Sequence, residues 1–271
     1  MEKNKKNKQD YLPINLPHTR KEQFFDLLKN DFFTLMKLGL VLLLFALPFI
    51  VIVILRAMFL YNVDPSDTNT QIAVQLIYYG TTILTTMIFS IGLAGVLKIL
   101  KRLIWNEPIF AVHDFFEGIK ENTLNFLVYA FLLSSLYAAS NIVIIFNIGG
   151  KFVKFLPNIL LLVFVFPSFL CSIAFSFMYQ TKLIDRIKSG LILSIKCYPS
   201  VFLSVLSLAI LLLINFIPYV FVKVIVFSIL LVFYVPIALL GTFTNQIRIF
   251  DKYINPAFYP DKVNCGLYKE E

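Results

Sequence analysis

Six stretches of this chain contain no Asp, Glu, Lys or Arg: 38–55, 72–96, 124–146, 155–178, 201–222 and 224–247. Each reaches or exceeds the roughly 18 apolar residues that argue for a membrane-spanning helix. Composition points the same way. The chain is 59% hydrophobic and 15% charged, whereas a soluble domain carries about 25% charged residues. A soluble core of this size has no room for so much Leu, Ile, Val and Phe, so lipid must take it. The expected fold is all-α, a polytopic six-transmembrane-helix bundle. The fifth and sixth stretches nearly touch, around Pro218, Tyr219 and Lys223. Together they are too long for one bilayer at about 1.5 Å per residue, so two helices and a tight turn are expected rather than one kinked helix.

The charges supply the orientation. Of the 24 Lys and Arg, twenty lie before residue 38, between 96 and 124, between 178 and 201, and after 247. The alternate loops hold only Arg56, Lys151, Lys154 and Lys223. The positive-inside rule places the rich side in the cytoplasm, with both termini there, as an even number of spans requires. The net charge of +8 is then a topology signal spread over the cytoplasmic rims, and no nucleic-acid partner is expected. The first apolar run begins near residue 35 without a small-residue cleavage site, so the start does not read as a secretory signal. Cys171, Cys197 and Cys265 match no metal-ligand spacing, and their odd number gives no disulfide framework.

The chain divides into a disordered basic tail (1–18), a transmembrane region (19–250) and a cytoplasmic C-terminal tail (251–271). For the lysines of the first segment two readings stay open: contact with anionic lipid heads, or solvation. Thr19-Arg20-Lys21-Glu22 reads as a capping box, followed by Phe24, Leu28 and Phe32 on one helical face. Asn106-Glu107-Pro108 reads as the start of a second short amphipathic helix, with proline in its first turn. There Ile109, Val112, Phe116 and Ile119 form the apolar face, opposite His113, Asp114, Glu117 and Lys120. A third runs from Lys182 to Lys196, with Ile184, Ile187 and Leu191 opposite Asp185, Arg186 and Lys188. The pattern suggests three units, each a short cytoplasmic amphipathic helix leading into a transmembrane hairpin. Ser90 with Ala94, flanked by Gly92 and Gly95, and the stripes Ala130-Ser134-Ala138 and Ser135-Ala139 mark close helix contacts, expected within one chain rather than in a homodimer. Pro48, Pro167, Pro218 and Pro236 are expected to kink or end helices.

Little of this points to chemistry. No Asp, Glu or His lies within a span, which argues against proton-driven transport. Thr81, Thr82, Thr85 and Thr86 are expected to bond the carbonyls of their own helix rather than to line a cavity. His113 and Asp114 are adjacent, so on a helix they point in different directions and read as a solvated face. No G-x-S-x-G, P-loop or G-x-G-x-x-G is present, and two histidines cannot supply an H-E-x-x-H zinc site. Neither a catalytic constellation nor a cofactor or metal site is expected, and the chain does not read as an enzyme.

Several stretches together resemble the YesL-like family of bacterial membrane proteins, a domain of unknown function. They are Phe33-Thr34-Leu35-Met36-Lys37-Leu38 leading to Ala46-Leu47-Pro48; Ile91-Gly92 with Gly95; Asn106-Glu107-Pro108 followed by residues 113–122; Phe166-Pro167; and Leu183-Ile184-Asp185. The likeness covers roughly residues 24 to 256. The chain departs from it at Tyr61 to Gln71, a polar external loop where the family joins its first spans more tightly. The resemblance implies six membrane helices, no known activity, and an association with carbohydrate-uptake transport. The resulting expectation is a non-enzymatic accessory or assembly protein of the bacterial cytoplasmic membrane, partnered by the bilayer and by a carbohydrate-uptake transporter complex. Asp114, Phe115, Phe116, Lys120 and Asn122 are its candidate docking residues. The rival expectation is a small-solute transporter with its site at the proline-kinked helices.

Overall fold

The computed structural model describes residues 16–64, 66–146, 150, 152–179 and 181–268. The disordered tail expected at 1–18 falls almost entirely outside the described residues. The elements are α1 (Arg20–Asn30), α2 (Phe32–Asn62), α3 (Thr68–Ile104) and α4 (Ala111–Ile145), then α5 (Leu156–Leu160) and α6 (Phe166–Met178) within the segment Val153–Met178. There follow α7 (Leu183–Lys196), α8 (Tyr198–Ala209), α9 (Val220–Tyr253) and α10 (Asn255–Phe258). Six helical segments are long and apolar enough to cross a membrane, one for each uncharged stretch. The molecule is a multi-pass membrane protein built as an all-α bundle.

The helix ends depart from the sequence reading where α3 gives way to α4. Asn106-Glu107-Pro108 does not open a helix; it closes α3. The Asn106 N–H donates to Leu103 O at 3.2 Å and the Glu107 N–H to Arg102 O at 2.9 Å. Asn106 itself sits at φ 54°, the left-handed position that asparagine tolerates after a helix. The segment expected as a separate amphipathic helix is instead the first turns of α4, which continues unbroken into the span. At 37 and 35 residues, α3 and α4 are each about 50 Å long and project well beyond a hydrocarbon core of about 30 Å. The tight turn expected between the last two spans is present and lies at Ile217–Tyr219, because Pro218 holds the residue before it extended (Ile217 ψ 117°).

The largest helix contacts are α3 with α4, α2 with α3, α6 with α7, and α2 with α9. Glycine makes three of these close. A Cβ on Gly39 of α2 would lie 2.7 Å from Val232 Cα on α9. One on Gly118 of α4 would lie 2.6 Å from Lys98 Cβ and 2.8 Å from Ala94 O on α3, and one on Gly190 of α7 would lie 2.7 Å from Ser172 N on α6. Ser90, Ala94, Ala130, Ser134 and Ala138 are buried within the single chain, as expected, while Ala139 faces outward. The threonine hydroxyls donate to carbonyls of α3 itself: Thr81 to Ile77, Thr82 to Tyr78, Thr86 to Thr82. Pro48 and Pro236 lie inside α2 and α9, and Pro167 opens α6 directly after a wider helical turn, Leu161–Val165. Outside the core formed by Leu35, Leu42, Leu97, Phe126, Leu240 and Phe250, the surface is rich in Leu, Ile and Phe, which suits lipid.

Candidate functional site

The charged side chains interlock at one end of the bundle, where the N- and C-terminal ends of the described residues meet: the Tyr268 N–H donates to Pro17 O at 3.0 Å. The capping box is present, with Thr19 accepting from the Glu22 N–H and Glu22 reaching back to the Thr19 N–H. It starts α1 so that Arg20 and Gln23 point inward. The Arg20 guanidinium donates to Asp251 Oδ2 at 2.8 Å, Gln23 Oε1 at 2.8 Å and Cys265 O at 2.9 Å. Gln23 Nε2 in turn donates to Ile104 O and to Gly266 O at 3.0 Å. Asp251 Oδ1 accepts from Asn255 Nδ2, whose Oδ1 accepts from the Tyr179 hydroxyl. One network thus ties α1, the end of α3, α6, α9 and the C-terminal segment.

A second cluster joins α3 to α4. Asp114 is fully buried, so the reading of His113 and Asp114 as one solvated face is corrected. His113 is exposed, but Asp114 faces α3. Its Oδ2 accepts from the Phe110 N–H at 2.7 Å, capping α4, and its Oδ1 lies 3.2 Å from Arg102 Nη2. Arg102 also binds Glu117 Oε2 at 3.1 Å, and Lys98 binds Glu121 at 2.7 Å. His113, Asp114 and Glu117 have ligand atoms within 4.8 Å of one another. The guanidinium of Arg102 already occupies the carboxylate oxygens that a metal ion needs.

Each of the two amphipathic stretches on α4 and α7 turns a polar stripe inward. α4 turns Asp114, Gly118 and Asn122 inward, and α7 turns Arg186, Gly190 and Ser194 inward. Part of each apolar face turns out: Val112 is 73% exposed and Phe116 63% on α4, and Ile184 65% on α7, while Ile109, Ile119 and Ile187 are half-buried. A charged residue and then small ones, four apart, let each helix lie against its neighbour, while the outer apolar face suits the headgroup boundary. Of the five candidate docking residues, Asp114 and Asn122 are buried and Phe115 is half-buried against Phe45. Only Phe116 and Lys120 can be reached from outside.

Between α3, α4, α6, α7 and the C-terminal segment lies a cavity of about 390 Å³. Lys98, Lys101, Glu121, Asn122, Tyr179, Arg186, Tyr259 and Lys262 are among its lining residues. Tyr179 stacks on Tyr259 with centroids 4.5 Å apart, and Lys262 Nζ sits 4.9 Å from the Tyr259 ring centroid. Lys101, beyond the uncharged stretch 72–96, lies over Trp105 at 4.2 Å. Burial, reinforced by the charges of Lys98 and Lys262, lowers its ammonium to about 8. Burial, then the Asp251 charge and the neighbouring Tyr259, pushes the Tyr179 hydroxyl above the usual tyrosine range. Sequence reasoning grouped Arg186 with Asp185 and Lys188 opposite the apolar face of its helix and gave Lys101, Tyr179 and Lys262 no role. The signal for Arg186 was the spacing to Gly190 and Ser194, since a four-residue run of small groups marks a face that packs.

A second cavity, about 580 Å³, lies beside Pro167 between α6, α7 and the start of α8. Its walls are apolar (Phe164, Phe169, Ile187, Leu191) with Ser168, Ser172 and Ser194 among them. No family model, curated protein or solved structure matches the chain.

Proposed function

We propose that the protein is a non-enzymatic accessory or assembly protein of the bacterial cytoplasmic membrane, with its charged end in the cytoplasm as the working face. Membership of the YesL-like family and service to a carbohydrate-uptake transporter belong to this proposal. One observation carries it. The first turns of α4 lie against α3 with Asp114 locked inside and with Phe110, Val112 and Phe116 exposed. An apolar, aromatic face held rigidly at a charged rim is what a partner helix or membrane-proximal domain docks on. The test is affinity purification from native membranes in mild detergent, for wild type and for Phe116→Ser and Lys120→Ala. The expected result is a stoichiometric membrane complex that both substitutions deplete without lowering membrane yield. A protein that purifies alone, or retention of the partner by both variants, refutes the reading.

The second reading, a small-solute facilitator, draws on the cavity beside Pro167, where the wide turn Leu161–Val165 interrupts the helix. Solute flux in proteoliposomes no faster than in empty vesicles removes it.

A further inference from the structure

We infer that the cavity between α3, α4, α6, α7 and the C-terminal segment binds a phosphate-bearing anion, whose phosphoryl oxygens are held by Arg186, Lys101 and Lys262. The inference does not depend on the accessory reading.

The first observation is Arg186. Its residue is 9% exposed, and its buried Nη1 has no hydrogen-bond partner among the described residues. The guanidinium makes one long bond, Nε to Thr181 Oγ1 at 3.4 Å. A buried cation is strongly unfavourable unless an acceptor meets it. Elsewhere at this end of the molecule the buried Arg20 has Asp251, and the half-buried Arg102 has Asp114 and Glu117.

The second observation is the charge count around the space. Lys98 is neutralised by Glu117 and Glu121. Lys101, Arg186 and Lys262 pair with no carboxylate among the described residues. Three cations converging on one cavity match a dianion better than a single carboxylate. A guanidinium fork with two ammonium points matches the several oxygens of a phosphate. Asn122, which also lines the cavity, supplies a neutral polar contact.

The third observation is the construction of the walls. The stacked Tyr179 and Tyr259 carry Lys262 over their faces, Trp105 carries Lys101, and the Tyr179 hydroxyl is anchored on Asn255. The cations are therefore positioned before any ligand arrives, which lowers the ordering cost of binding. At about 390 Å³ the space exceeds what a bare phosphate fills and suits a ligand with a substituent. Two sources share this chemistry: a soluble phosphomonoester, and the headgroup of an anionic phospholipid reaching a basic pocket between membrane helices.

The test uses the full-length protein in phosphatidylcholine nanodiscs, with thermal unfolding as the readout at constant ionic strength. One arm titrates inorganic phosphate and glycerol phosphate; the other replaces part of the phosphatidylcholine by phosphatidic acid. Saturable stabilisation is expected in at least one arm, and Arg186→Met should weaken it roughly 10- to 100-fold, the loss of one or two charge-assisted hydrogen bonds. Without ligand, R186M should unfold no earlier than wild type, because the substitution removes an unmatched buried charge. Lys101→Met carries the same test if R186M does not fold. Stabilisation by the soluble phosphates assigns the site to a free phosphomonoester; stabilisation only by phosphatidic acid assigns it to a lipid headgroup. No stabilisation in either arm, an equal effect of potassium chloride, or unchanged ligand response in both variants overturns the inference.

Discussion

Adding one methyl group at Gly39 or at Gly80 separates helix propensity from helix packing, and the two positions should respond with opposite signs. Both glycines lie inside long helices, where Gly→Ala gains up to about 1 kcal/mol from reduced backbone freedom. At Gly80 a Cβ meets nothing within 4 Å, so the gain stands and G80A should be neutral to slightly stabilising. At Gly39 the Cβ would lie 2.7 Å from both Cα and C of Val232, and closer still to its carbonyl oxygen, whereas ordinary contact begins at 3.4 Å. Every one of these atoms is backbone, so no side-chain rotation relieves the clash, and α2 and α9 must separate locally by more than an ångström. That loosens the seam where Leu35, Leu38 and Leu42 share a core with Leu231, Val235 and Leu239. Overpacking a tight site costs about 1–3 kcal/mol, and a backbone clash belongs at the upper end. After the propensity gain, G39A should lose about 2 kcal/mol, a fall in melting temperature of roughly 4–8 °C for a chain of this size. Unfolding can be followed with a thiol-reactive dye at the fully buried Cys171, after Cys197 and Cys265 are replaced by Ser. If G39A melts at or above the parent, or if G80A falls as far as G39A, the close α2–α9 approach is wrong.

Asp114→Asn keeps the shape of the buried side chain but removes its charge from Arg102 and weakens the cap on Phe110. Because Arg102 retains Glu117, the expected loss is about 2–3 kcal/mol, and a melting curve equal to wild type would contradict a structural role for Asp114. Lys101 gives a pH signature. Its folded value of about 8 lies below its usual 10.5, so over that interval the unfolded chain holds a proton that the folded one has released, and stability rises with pH. Melting temperature should therefore climb from about pH 8 toward the usual lysine range, and Lys101→Met should abolish the climb; identical profiles for the two proteins would refute the assignment.

The six spans, the all-α class and the capping box at Thr19 were legible in the chain because each depends on local facts. Uncharged length decides what lipid accepts, and Thr19 and Glu22 are one helical turn apart. The break between the last two spans was legible through Pro218, which cannot continue a helix ladder and holds the residue before it extended. What one sequence could not reveal was which side of α4 and α7 faces inward. A helical wheel assigns the apolar stripe to the interior, which is correct in water. In a membrane protein the exterior is also apolar, so that inference loses its direction. Tertiary packing reversed it, burying Asp114 and Arg186 through the small residues that follow them and turning Val112, Phe116 and Ile184 outward. The cavity is likewise a tertiary product. Lys101, Arg186 and Lys262 are separated by dozens of residues in sequence, and only the convergence of α3, α7 and the C-terminal segment gathers their charges around one space.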